Sequence, residues 1–198
     1  MKRAFVFFAA VVLSLPALAQ RNEASVTFGG MFSLGAKGTS SCEAILICPT
    51  NVDVVLSPSF ALNGSFAHRI ADFKAAALFV EFPLLANPSR SGGGFLGSSF
   101  STLFFTPSLR VQFAPSASIS PFLSAGAGFG HFSGLGSDTR WATQFGGGLD
   151  FKTHLPHLGF RVEARDFING TPSIGALDNI TAGHMQQIYA GGGLVIKF

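Results

Sequence analysis

Leu158-Gly159-Phe160-Arg161-Val162-Glu163-Ala164-Arg165 sets an apolar or small residue against a charged one over its last six positions. Successive side chains of an extended strand point to opposite faces. Phe160, Val162 and Ala164 therefore share a face with Leu158, while Arg161, Glu163 and Arg165 share the other. A 3.6-residue period would scatter these charges around a helix; a two-residue period collects them. The segment at about 158–167 is a strand with one apolar face and one ionisable face.

Seven further segments repeat the pattern. The segment at about 23–34 sets Val26, Phe28 and Phe32 against Glu23, Ser25 and Thr27. That at about 59–70 sets Phe60, Leu62 and Phe66 against Asn63, Ser65 and Arg69, and that at about 72–83 sets Leu78, Val80 and Phe82 against Phe79 and Glu81. At about 101–113, Leu103, Leu109 and Val111 oppose Thr102, Arg110 and Gln112. Leu123, Ala125 and Phe129 oppose Ser124 and several glycines at about 119–132. Trp141, Phe145 and Leu149 oppose Gln144, Asp150 and Lys152 at about 140–152. The segment at about 186–198 sets Ile188, Leu194 and Ile196 against Gln187, Tyr189 and Lys197. Pro107 cannot donate to a ladder and predicts a bulge or a shortened strand.

The connections alternate in length. Residues 70–71, 114–118 and 153–157 are short links; 35–58, 84–100 and 168–185 are longer, with 133–139 a short exception. The predicted fold is all-β, an eight-stranded antiparallel transmembrane barrel with its apolar faces toward lipid. An even strand number and short turns at one end suit such a barrel. The alternative, a soluble β-sandwich or lipocalin-like barrel, would turn the same faces inward.

Composition agrees. Hydrophobic residues make up 47% of the 198, charged ones 12%, and 24 Gly with 10 Pro disfavour long helices. Ordinary soluble domains carry about 25% charge. Residues 1–19 read as a signal peptide: Lys2 and Arg3, an apolar run at 4–15, then Pro16 and Ala17-Leu18-Ala19. The run falls short of the about 20 residues a spanning helix needs. The barrel domain is then 20–198. Lys2 and Arg3 account for two of the 13 Lys+Arg, which leaves 11 against 10 Asp+Glu. No basic cluster points to nucleic acid. Cys42 and Cys48, an even pair in an exported chain, predict one disulfide; two thiols without a nearby His make half a zinc shell, so no metal is expected.

The last stretch, Tyr189-Ala-Gly-Gly-Gly-Leu-Val-Ile-Lys-Phe198, resembles the C-terminal signature of outer-membrane proteins, a terminal Phe after alternating apolar residues. With the 158–167 strand, the chain resembles the small outer-membrane β-barrel domain proteins, akin to the OmpA-like transmembrane barrel without a periplasmic domain. The resemblance implies a monomer in the outer membrane of a Gram-negative envelope. It further implies outer-membrane lipids as partners and a barrel-assembly machinery that reads Phe198 during biogenesis.

Glu81, Arg110, Asp150, Arg161, Glu163 and Arg165 are the expected lumenal charge network, a plug rather than an acid–base site. An eight-stranded barrel is just wide enough for side chains to fill, and buried charges must be paired. The expected role is structural or surface-interactive, with a narrow porin-like channel for small solutes as the alternative. His131-Phe132-Ser133 resembles the His-x-Ser of outer-membrane lipid A 3-O-deacylases, which would make His131 and Ser133 a hydrolase pair. That family has Asn after the Ser, where Gly134 stands here, and a Glu to orient the His, where Asp138 and Asp150 are the nearest downstream acids. No enzymatic activity is expected, and no cofactor: Gly146-Gly147-Gly148 and Gly191-Gly192-Gly193 lack the lysine and strand–helix context of a phosphate loop.

Overall fold

The computed structural model describes residues 21–40, 52–54, 56–91, 99–134, 136–172 and 180–198. The predicted signal peptide (1–19) and the predicted Cys42–Cys48 disulfide lie outside them. The strands are β1 (Asn22–Ser40), β2 (Val52–Val54), β3 (Ser59–Asp72), β4 (Ala76–Ser91), β5 (Ser99–Phe105), β6 (Ser108–Phe113), β7 (Ile119–Ser133), β8 (Ser137–Lys152), β9 (Leu158–Asn169), β10 (Ile180–Ala182) and β11 (Met185–Lys197). β5 and β6 form one stave, interrupted at Thr106 and Pro107. Eight staves then close in the order β1, β3, β4, β5/β6, β7, β8, β9, β11 and back to β1. All pairings are antiparallel, and β1–β11 completes the ring.

The closed ring satisfies the backbone without water, the condition for a sheet to sit in hydrocarbon. The apolar faces point outward. Phe28, Phe60, Leu109, Leu123, Phe145, Phe160 and Val162 are all exposed, Phe145 at 63%. The soluble alternative, with these faces in a core, is thereby excluded. The hairpins at 73–75, 114–118 and 153–157 lie at one end with Arg21 and Phe198, here the turn end; the opposite end is the loop end.

Three boundaries differ from the sequence reading. The β3–β4 turn falls at 73–75, not 70–71, because the register shifts between Arg69 and Ala71 and Ile70 is the extra residue of a bulge. β1 and β4 also run well past positions 34 and 83. β1 continues through a second bulge at Ser33/Gly35, where Gly35 takes φ 80°, a backbone shape that suits glycine. Beyond it β1 pairs with β2 on one side and β10 on the other. The interruption at Pro107 is as anticipated: its carbonyl accepts from the Ala127 N–H.

Candidate functional site: the filled lumen

Alternation on β9 aims Arg161, Glu163 and Arg165 into the barrel, where all three are buried. Register then sets who meets whom. Asp150 on β8 lies directly opposite Arg161. Arg161 donates from Nε to Asp150 Oδ1 at 2.7 Å and from Nη2 to Oδ2 at 2.9 Å, the two-pronged geometry that strengthens an arginine–carboxylate pair. Its Nη2 also lies 3.4 Å from Glu23 Oε2, and its Nη1 3.8 Å from Glu81 Oε1. Arg110 from β6 donates to Glu23 Oε2 and sits 3.7 Å from Asp150.

One level up, Arg165 donates to Glu163 Oε2 from Nε (2.9 Å) and Nη2 (2.8 Å). It also donates to Glu81 Oε1 at 2.8 Å and to Gln144 Oε1 at 3.2 Å. Glu163 Oε1 accepts from Thr27 (2.6 Å) and from Asn63 Nδ2 (2.7 Å), while the Tyr189 hydroxyl donates to Thr27 Oγ1 at 2.8 Å. Aromatic rings close the layer beneath. The Arg110 guanidinium lies 4.3 Å from the Phe79 centroid and that of Arg161 4.7 Å from Phe122, distances at which a cation is drawn to a ring face.

All six predicted network residues are brought together. Two were missing from the set: Glu23, buried between Arg110 and Arg161, and Lys197, whose Nζ lies 3.3 Å from Glu23 Oε1. Glu23, Glu81, Asp150 and Glu163 thus face Arg110, Arg161, Arg165 and Lys197, four charges of each sign. Neutrality matters because an unpaired ion in a dry interior is expensive, whereas a paired and hydrogen-bonded one is tolerated. The glycine runs make room. A Cβ on Gly146 would lie 2.9 Å from Arg165 Cγ, and one on Gly148 2.8 Å from the Phe122 ring. That is the close-packing role of a strand glycine.

Toward the loop end the lumen turns apolar. Met31, Leu85, Phe104, Phe132, Phe167 and Met185 are buried there with Tyr189. Phe104 and Phe167 stack at 4.8 Å, and Phe132 meets Phe104 edge-on at 5.9 Å. The sequence reading missed this layer, although Phe104, Phe132 and Phe167 hold the same parity as Thr102, Ser124 and Arg165.

His131 and Ser133 sit near the loop end on the lipid-facing parity. His131 Nδ1 is 2.9 Å from Thr139 Oγ1, and the Ser133 carbonyl accepts from Ser101. Asp138 takes the Arg140 Nε and the Thr139 N–H, and Asp150 is held by Arg161. Among the described residues, no group of His, Cys, Asp and Glu could hold a metal ion.

An apolar exterior, a closed antiparallel ring and a polar lower interior define an outer-membrane β-barrel. Solved structures carry the same fold. The chain is similar to Neisserial surface protein A (TM-score 0.55, 16% identity, covering 88% of this chain and 97% of that one). It is also similar to the outer membrane protein OprG from Pseudomonas aeruginosa (TM-score 0.53, 11% identity, covering 90% and 97%). No protein-family profile and no curated protein matches the sequence.

Proposed function

We propose that this barrel is a plugged, non-enzymatic outer-membrane protein whose role is structural or surface-interactive, acting as a monomer with its turn end in the periplasm. The neutral ion network is the observation that carries the reading. It joins β1, β4, β6, β8, β9 and β11 across the lumen, and the aromatic layer above it adds a second obstruction. Chemistry with outside partners is left to the segments joining strands at the loop end, where functional residues usually concentrate. The partners of this reading are outer-membrane lipids and, during insertion, the barrel-assembly machinery.

Refolded protein in a planar bilayer is expected to show no steady single-channel conductance. Steady conductance would instead favour a second reading, a narrow channel for small solutes. One observation supports that alternative. Among the described residues, lumenal polar atoms on several staves are buried without a hydrogen-bond partner, Asn63 Oδ1, Asn87 Oδ1, Thr102 Oγ1, Thr106 Oγ1 and Gln112 Oε1 with the Arg110 Nε and Nη1.

Stability supplies a separate test. Glu163→Ala leaves Arg165 with only Glu81 as a carboxylate partner, unbalances the network by one charge and removes the acceptor of Thr27 and Asn63, so the unfolding midpoint should fall by the equivalent of about 3–5 kcal/mol. Phe160→Leu, on the lipid face, should cost less than about 1.5 kcal/mol. Equal effects on urea unfolding from vesicles would contradict a dry, paired lumen.

A further inference from the structure

Once the network is matched, the remaining charge is unevenly shared between the two ends. Among the described residues the loop end carries Lys37, Arg90 and Arg140 against Asp53, Asp138 and Asp166, three of each sign; Arg140 is paired with Asp138 at 2.7 Å, and Asp166 accepts from Gln186. At the turn end stand Arg21, Arg69, Lys74, Lys152 and Lys197. Arg69 is paired with Asp72 at 3.0 Å, and Lys197 with Glu23. Arg21, Lys74 and Lys152 are exposed and have no carboxylate partner among the described residues.

These cations are interleaved with exposed apolar side chains. Phe73, next to Lys74, and Leu155, three residues after Lys152, are each 60% exposed; Ile70 and Ile119 project from the same end. A recess of about 190 Å³ opens beneath the 153–157 turn. Lys152, Lys197 and His157 supply its polar wall, and Leu155 and Phe160 its apolar one. Asp150 lies at its floor, but Arg161 already holds both carboxylate oxygens. Phe160 belongs to the lipid-facing belt, so the recess opens where that belt ends.

We propose that the turn end is a rim that binds the headgroups of anionic phospholipids, with Lys152 in this recess on one side of the ring and Lys74 and Arg21 on the β1–β3–β4 side. The occupant must satisfy a cationic wall and an apolar wall side by side. A phosphodiester whose acyl chains continue up the barrel surface does both, whereas a free anion meets only the first. Surplus positive charge near a bilayer surface attracts anionic lipid. It also disfavours a headgroup that carries its own quaternary ammonium.

Native mass spectrometry of the full-length barrel in detergent, with equimolar phosphatidylglycerol and phosphatidylcholine, tests the site. The wild type is expected to retain phosphatidylglycerol roughly tenfold over phosphatidylcholine. Arg21→Gln/Lys74→Gln/Lys152→Gln, which leaves every member of the ion network in place, should bring the ratio to about twofold or less. Arg140→Gln, at the loop end, should leave the wild-type ratio unchanged. Heat-modifiable gel mobility confirms that each variant is folded. Equal retention of the two lipids by the wild type would overturn the proposal. So would a preference that survives the triple substitution, or one that Arg140→Gln abolishes, or one that excess inorganic phosphate removes while the lipid-free barrel takes up phosphate itself.

Discussion

Barrels carrying Arg161→Met are expected to lose about 3–5 kcal/mol of stability, the scale for breaking a buried ion pair from one side. Arg161 is the hub of the lower lumen. It holds Asp150 with two hydrogen bonds, approaches Glu23 and Glu81, and lies over the Phe122 ring. The substitution keeps most of the side-chain volume and removes the charge, leaving four carboxylates facing three cations. Combining it with Asp150→Leu should recover a large part of the loss, because an apolar pair can replace a buried ionic one at little net cost. Urea unfolding in vesicles followed through Trp141, the sole tryptophan, provides the measurement. A loss below about 1 kcal/mol would mean that water reaches the pair and screens it.

Phe104→Ala should be comparably severe, at about 3–5 kcal/mol, the range for deleting a buried aromatic ring. Phe104 is wholly buried, stacks on Phe167 and takes the edge of Phe132. Phe129→Ala, on the lipid-facing side of β7, should cost distinctly less, since lipid tails can fill the space. Neither variant should conduct. Emptying the aromatic layer leaves the ion network intact beneath it, so stability and permeability should separate. Steady conductance in Phe104→Ala would show that the aromatic layer alone had been the barrier.

Faces were legible in the sequence because alternation reports them directly. On all eight staves the residues assigned to lipid are outside, and Glu81, Arg110, Asp150, Arg161, Glu163 and Arg165 are inside. Height along the barrel axis was not legible, because it depends on register between strands distant in sequence. Glu23 and Lys197 both had lumenal parity, yet only the pairing of β1 with β11 sets them directly opposite each other. The aromatic layer escaped for a related reason. An alternating segment that is apolar on both faces at its upper end, such as Phe129 and Phe132 on β7, does not reveal which ring looks inward until the parity is carried through from Ser120 and Ser124. The bulge at Ile70 had no such signal: it is an extra residue relative to β4, visible only once the partner strand is known.

The β1–β11 seam has a consequence for the order of assembly. Glu23 enters with the first stave, Arg110 follows on the fourth, and the other two cations that answer it arrive late: Arg161 on the penultimate stave and Lys197 on the final one. A sheet still open at this seam would hold Glu23 apart from both and would deny Tyr189 its bond to Thr27. The β8–β9 pairs, Asp150 with Arg161 and Gln144 with Arg165, need no seam, whereas the Lys197–Glu23 and Tyr189–Thr27 contacts form only in the final step. Closure acts as a latch, in which the same event that joins first strand to last also completes the plug, so a half-wrapped barrel that is already sealed is not a state this sequence can occupy.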